Sequence, residues 1–331
     1  MAGSQGFALA AAVCNAGGLG SLPAAMHTPE SLRAEVTQLR QLSNAPFNIN
    51  FFAHQIPADD PAALVNWHQA LTPYYTEFGL DPTQIPSGAG RAPFSDGFAE
   101  VVEQIKPAVV SFHFGLPAED LLQHVKATGA QIWSSATTLN EALWLQARGV
   151  DAIIAQGLEA GGHRGTFLTD NINEQIPLAT LLEQIVDRVN VPIIAAGGIA
   201  TAEEIAHAKH LGADAVQIGT AYLCTPEATT SAVHRAALLS EQAHETALTN
   251  LFSGRPARGI VNRIMRELGP ISPYAPAFPL ATAGITPLRT ASEKTGSGDF
   301  SPLWSGQNAQ AIEEQSAATL TQQYIEAWSQ V

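Results

Sequence analysis

The sequence predicts an α/β fold: a (β/α)8, TIM-type barrel short of its first strand and followed by a C-terminal helical cap. Three observations predict it. Short apolar runs of strand length alternate with helically spaced stretches as far as Gly219. Seven such strands each have a helix after them, yet the chain opens on a helix with no strand ahead of it. Glycine turns of the phosphate-binding kind follow the last two strands, where barrels place them. An open doubly wound sheet would tolerate seven strands but would keep those glycines after its first.

In order, Phe7 to Asn15 reads as a small-residue helix closed by Gly17 and Gly18, and Leu19 to Ala24 as a short strand. Glu30 to Leu42 has helical spacing, and Phe47 to Phe52 is a strand. Pro61 to Phe78 is a helical excursion, and Asp81 to Ala92 a Pro/Gly-rich loop. Helix Phe98 to Ile105, strand Ala108 to Phe114, helix Ala118 to Ala127, strand Gln131 to Ser135 and helix Leu139 to Ala147 continue the alternation. Strand Asp151 to Ala155 runs into a long loop. Helix Leu178 to Val189, strand Pro192 to Ala196, helix Ala202 to Leu211 and strand Ala215 to Gly219 complete it. Strands spaced by helices imply a parallel sheet with crossovers.

The barrel is expected over residues 1–227, with residues 228–331 as helical cap and C-terminal extension. In that second part Ala228 to Leu251 reads as helical, Gly269 to Gly298 as a Pro/Gly-rich connection, and Ala309 to Trp328 as a final amphipathic helix. Arg255, Pro256, Arg258 and Arg263 form the densest basic cluster. It either draws in an anionic substrate or pairs with acidic outer helices.

Of 331 residues, 46% are hydrophobic and 14% charged, so the chain can bury a large core. The formal charge of −14, uninterrupted by any Lys/Arg block, argues against nucleic acid and anionic membranes. Phe7 to Cys14 is apolar and ends in small residues, but the first basic residue is Arg33, which argues against an export signal. With no run near a membrane span, and with Cys14 and Cys224 far apart, the expectation is a soluble, reduced, cytoplasmic protein. No His/Cys/Asp/Glu grouping has metal-ligand spacing, so no metal is expected.

The chemistry concentrates in DAIIAQGLEAGGHR, Asp151 to Arg164, where a buried strand delivers a glycine-dense loop ending in His163. Gly157, Gly161, Gly162 and Gly165 would let the backbone pass close to a flat ligand. His163 is the candidate catalytic residue. It could abstract an α-proton as a base, or hold an oxyanion as a donor or cation. Arg164 is read as structural or solvent-facing, and Glu159 as orienting the loop. His54, Phe51 and Phe52 either line a pocket or cap the core. His113 would face the barrel mouth if the polar face of its strand points inward.

A second constellation is Ala195 to Gly198 followed by GADAVQIGT, Gly212 to Thr220. Loops after strands seven and eight commonly cradle a phosphate on backbone N–H groups, without lysine, and a flavin mononucleotide fits that location.

These stretches, with AAAVCNAGGLG (Ala10 to Gly20), PFNINFF (Pro46 to Phe52), AQGLEAGGHRG (Ala155 to Gly165) and FSGRPARG (Phe252 to Gly259), resemble the nitronate monooxygenases of the bacterial class I type, formerly called 2-nitropropane dioxygenases. The resemblance covers most of the chain. It implies FMN at the top of the barrel, contacted by Asn50, Gln156 and Gly161, with Gly198, Gln217, Ile218, Gly219 and Thr220 at its phosphate end. It also implies His163 beside the flavin and oxidation of small anionic alkyl nitronates, notably propionate 3-nitronate, by one-electron transfer to FMN and reoxidation by O2.

Members of that family usually begin with a strand ending in a QAPMAG-like segment, of which only Met1, Ala2 and Gly3 correspond here. The expected consequence is two unpaired sheet edges and part of the core uncovered. Two other readings accompany the first: an NAD(P)H-dependent flavin reductase of enoyl-thioester or quinone type, and a truncated, non-catalytic flavin-binding homologue.

Overall fold

A computed structural model describes residues 1–88 and 90–331. Ala89, inside the Asp81 to Ala92 loop, lies outside the described residues. The strands are β1 (Gly20–Pro23), β2 (Phe47–Phe52), β3 (Val109–His113), β4 (Gln131–Ala136), β5 (Ala152–Gln156), β6 (Gly162–His163), β7 (Ile193–Ala196), β8 (Ala215–Gln217), β9 (Thr246–Thr249) and β10 (Ala257–Ile260). The helices are α1 (Phe7–Asn15), α2 (Pro29–Leu42), α3 (Pro61–Glu77), α4 (Asp96–Ile105), α5 (Glu119–Ala127), α6 (Leu139–Ala147), α7 (Leu178–Ile185), α8 (Ala202–His210), α9 (Ala232–Leu238), α10 (Arg263–Leu268), α11 (Ala281–Lys294) and α12 (Ala317–Ser329).

Seven strands form one parallel sheet in the order β1-β2-β3-β4-β5-β7-β8, curled as a barrel open between β1 and β8. Two-residue alternation sorts the side chains. Ile49, Phe51, Val110, Phe112, Ile132, Ile153, Ala155, Ile193 and Ala195 face outward into the main core, against the helices. Asn48, Asn50, Ser111, His113, Trp133, Ser135, Ile154, Gln156, Ile194 and Ala196 face inward and line a cavity. The register sets Asn50 beside Ser111, Phe52 beside His113, Gln156 beside Ala196 and Ala196 beside Gln217. That brings the polar strand ends to one rim.

The sheet has β1 and β8 at its edges, as the strand count predicts. The gap is nevertheless covered. The Gln5 side-chain amide bonds the Ser21 carbonyl of β1, and Thr229 N–H donates to the Ser4 carbonyl at 3.0 Å. Outside the gap α1 and α12 pack together, and Leu9, Tyr222 and Leu320 form a small buried cluster there.

The C-terminal part departs from the sequence reading in three places. The stretch Ala228 to Leu251 is not one helix: α9 is followed by a 3-10 turn at Glu241–His244 and then by strand β9. Thr246 and Thr249 bound a strand whose partner, β10, lies beyond a turn, and β6 completes an antiparallel sheet in the order β6-β10-β9. The stretch Gly269 to Gly298 contains a 14-residue helix, α11, despite Gly284 and Pro287. Gly284 is there because α3 crosses it: a Cβ would lie 3.0 Å from Trp67 Nε1. Trp67 Nε1 and Tyr75 Oη donate to the carbonyls of Ala281 and Gly284 at 3.2 and 2.8 Å. Finally, α12 begins at Ala317, where Ser316 caps it, rather than at Ala309. Trp67, Leu71, Tyr75, Ile264, Ile285, Leu288 and Phe300 make a second buried core beside the barrel.

Candidate active site

A cavity of about 630 Å³ opens at the rim where β2, β3, β5, β7 and β8 end, and its size suits a cofactor. Its wall includes all nine residues the sequence singles out: Asn50, Gln156, Gly161, His163, Gly198, Gln217, Ile218, Gly219 and Thr220.

The loop after β5 is held from three directions. Gln156, the last residue of β5, donates from Nε2 to the His163 carbonyl at 3.0 Å and accepts from Gly165 N–H at 2.8 Å. Arg164 is fully buried. Its guanidinium donates to the carbonyls of Gly157 (2.7 Å) and Gln156 (2.8 Å) and to Gln175 Oε1 (2.8 Å), so it is a structural residue, not a solvent-facing one. Glu141 is also wholly buried. Its carboxylate accepts from Thr137 N–H and Oγ1 (2.7 and 2.8 Å) and from the N–H groups of Phe167 and Leu168 (2.7 and 3.2 Å). Glu159 faces the start of α7, where its carboxylate accepts from Leu178 N–H at 2.9 Å. That geometry orients the loop and removes Glu159 from proton transfer.

The glycines serve a purpose different from the one the sequence suggests. A Cβ on Gly161 would meet Gly306 N and Ser305 C at 2.6 Å, one on Gly157 would meet Leu178 Cβ at 2.4 Å, and one on Gly165 would meet His113 Cε1 at 2.9 Å. Close approach is to the protein's own chain. Only Gly162, at φ +74°, has open space where a Cβ would stand.

His163 lies on β6, paired with Ala257 of β10. Its Nε2 is 2.8 Å from Ser253 Oγ, and Nδ1 has no partner among the described residues. Ser253 Oγ is 3.4 Å from both the N–H and the carbonyl of Arg255. Burial holds the imidazole pKa well below its ordinary value, helped by the charges of Arg91, His113 and Arg255, so the ring is neutral at pH 7. Phe278, Trp304, Phe52 and Phe114 surround it with ring centroids 5.4, 5.5, 6.0 and 6.0 Å away.

His113 does point into the barrel, but both its nitrogens are taken: Nδ1 by Ser135 Oγ at 2.9 Å, Nε2 by the His163 carbonyl at 3.1 Å. The carbonyl accepts, so the proton is on Nε2, and burial lowers the pKa to about 3. His113 braces the loop. His54 is buried against Phe278, 4.8 Å between centroids, with neither ring nitrogen hydrogen-bonded. Burial first, then the Arg255 charge, brings its pKa to about 4. Phe51 belongs to the outer core; Phe52 faces the cavity.

At the other end, Gly197 and Gly198 have φ of +121° and +70°, backbone that favours glycine, and a Cβ on either would crowd Ala160 or Glu159. Thr220 starts a 3-10 turn after β8, and its Oγ1 accepts from Gly306 N–H at 2.9 Å. No lysine or arginine lines this end of the cavity among the described residues. An anion here would rest on backbone donors. Asn50 Oδ1 accepts from Ser111 Oγ at 2.8 Å, which turns its amide nitrogen free of that partner at the rim.

Sequence reasoning missed Ser253, Glu141, Trp304 and Arg91. Ser253 sits within the distinctive FSGRPARG stretch, so a signal existed; the other three lie in segments without one.

The sequence profile of the nitronate monooxygenase family matches residues 1–326. Nitronate monooxygenase of Pseudomonas aeruginosa is 39% identical over 321 residues, covering 96% of this chain and 92% of the relative. That of Paraburkholderia phytofirmans is 39% identical over 326 residues, covering 98% and 89%. The structure of nitroalkane oxidase from Streptomyces ansochromogenes superposes with a TM-score of 0.89 at 36% identity, over 100% of this chain and 94% of that one. FabK from Thermotoga maritima, at TM-score 0.71 and 24% identity over 100% and 91%, shares the fold alone.

Proposed function

The chain belongs to the nitronate monooxygenase family and is an oxidoreductase, and we propose that it oxidises alkyl nitronates with O2 on a bound FMN. The observation that carries this reading is that one cavity wall joins His163 to the strand-end amides Asn50 and Gln156 and to the turns Gly197–Gly198 and Gly219–Thr220. The amides suit the polar edge of a flavin ring, and the two turns suit its phosphate. When bound, FMN supplies the acceptor for the nitronate's electrons and their route to O2. In this arrangement residues 1–227 hold the cofactor, while residues 228–331 supply Trp304 to the pocket wall and set Ser253 and Phe278 against His163. No helix among the described residues is long and apolar enough to cross a membrane. Cys14 and Cys224 are buried free thiols, in keeping with a reducing cytoplasm.

His163 acts as a neutral ring. With the Ser253 hydroxyl donating to Nε2, its proton resides on Nδ1, a donor suited to a nitronate oxygen. Turning that hydroxyl to the Arg255 carbonyl reverses the tautomer and leaves Nδ1 as the acceptor that a neutral nitroalkane's α-proton needs. The ring of Phe52, Phe114, Phe278 and Trp304 keeps water from the reacting carbon.

The test is an anaerobic visible spectrum of the purified protein with propionate 3-nitronate, and with NADPH in a parallel sample. Bleaching by the nitronate alone supports the proposal. Bleaching only with NADPH supports a flavin reductase instead, and absence of any flavin band overturns both.

A further inference from the structure

We infer that Arg91 is the specificity residue of this site: its guanidinium binds a second anionic group, a carboxylate, at the far end of the nitronate substrate. The inference rests on the nitronate reading above. Of the residues lining the cavity among those described, Arg91 is the one arginine, and no lysine joins it. It comes from the loop between α3 and α4, and Nη1 donates to Thr282 Oγ1 of α11 at 2.8 Å. Thr282 Oγ1 in turn donates to the Phe252 carbonyl at 3.0 Å, so the anchor is itself fixed. Nε and Nη2 have no hydrogen-bond partner, and no carboxylate pairs with Arg91, among the described residues.

An unpaired, half-buried guanidinium is unexpected in a chain with 30 acidic and 16 basic residues. Arg263 pairs with Glu77 and Glu267, Arg164 spends its donors on carbonyls and Gln175, and Arg258 reaches Leu158 and Thr246. Arg255, whose Nη2 reaches Thr166 and whose buried Nε also has no partner among the described residues, lines a separate pocket. Arg91 and His163 line the same cavity. A planar fork with two free donors, Nε and Nη2, matches a carboxylate in bidentate geometry. A substrate holding its nitronate at His163 and a carboxylate at Arg91 would neutralise this charge. The aromatic wall of Phe52 and Trp304 packs its short aliphatic linker.

The experiment compares steady-state oxidation of propionate 3-nitronate with that of butyl-1-nitronate, which lacks the carboxylate, in wild type, Arg91→Gln, Arg91→Lys and Thr282→Val. The expected result is a KM for propionate 3-nitronate raised about 10- to 100-fold in Arg91→Gln, with kcat within about threefold and the butyl nitronate KM unchanged. Arg91→Lys should fall between, and Thr282→Val, which loosens the fork but keeps its charge, should raise the same KM by a few fold. Equal losses on both nitronates, or no loss on either, would overturn the inference. A wild type inactive on both nitronates would instead overturn the functional reading.

Discussion

Ser253 Oγ lies 2.8 Å from His163 Nε2, and Ser253 is 1% exposed, so a hydroxyl from the C-terminal segment is the hydrogen-bond partner of this imidazole among the described residues, and its orientation is coupled to the ring's tautomer. Replacing Ser253 by Ala leaves Nε2 with no partner in a buried setting. The expected loss in kcat/KM for a nitronate is about tenfold, as for one hydrogen bond to a polar group, with flavin content unchanged. Ser253→Thr should restore most of it. Steady-state kinetics with the flavin absorbance of each variant check both points.

Glu141 is a structural carboxylate whose two oxygens accept four hydrogen bonds from Thr137, Phe167 and Leu168. Glu141→Gln places an amide N–H against N–H donors. We expect a loss of about 2–4 kcal/mol in unfolding free energy, read from urea denaturation. An unchanged midpoint would mean that the loop is held by Arg164 alone.

Gly161 and Gly162 should answer differently to alanine. At Gly161 a Cβ meets backbone atoms of Ser305 and Gly306 at 2.6 Å, so the C-terminal segment must move off the loop. We expect Gly161→Ala to lose flavin on gel filtration. At Gly162 there is room, and the cost is the positive φ alone, about 1 kcal/mol. Thermal midpoints and flavin occupancy of the two variants separate the cases.

Acid should destabilise the fold before carboxylates titrate. His113, His54 and His234 have folded pKa values lowered to about 3, 4 and 4, each chiefly by burial. Unfolded histidines titrate near 6.5, so below that pH the unfolded chain binds more protons and stability falls as pH falls. The loss grows from about pH 6.5 and is complete near pH 4 for His54 and His234 and near pH 3 for His113. It is on the order of 1 kcal/mol per histidine per pH unit. Urea midpoints at pH 7.5, 6.5 and 5.5 should decline in that order, with most of the drop in the last step.

The nine site residues named from sequence all reach one cavity because they lie on the inward face of the strands or in the loops after them, and parallel strands carry their C-termini to one rim. What each does was less legible. Gln156 reads as a ring-edge contact, yet both ends of its amide also hold the loop. The loop glycines read as clearance for a ligand, whereas Gly157, Gly161 and Gly165 clear Leu178, Ser305, Gly306 and His113.

The sequence by itself determined the parallel sheet of seven strands, its open edges between β1 and β8, and the two glycine turns after β7 and β8. Apolar periodicity and turn chemistry are local, and locally spaced signals suffice for elements of this kind. Only the tertiary structure decided the rest. Strand β6 is two residues long and exists because β10 pairs with it from some ninety positions away; α11 forms across Gly284 because α3 packs there. Arg91 in its loop shares the cavity with His163, and Ser253 near β10 bonds that ring, only through the tertiary fold; no periodicity in a chain records a contact made across it.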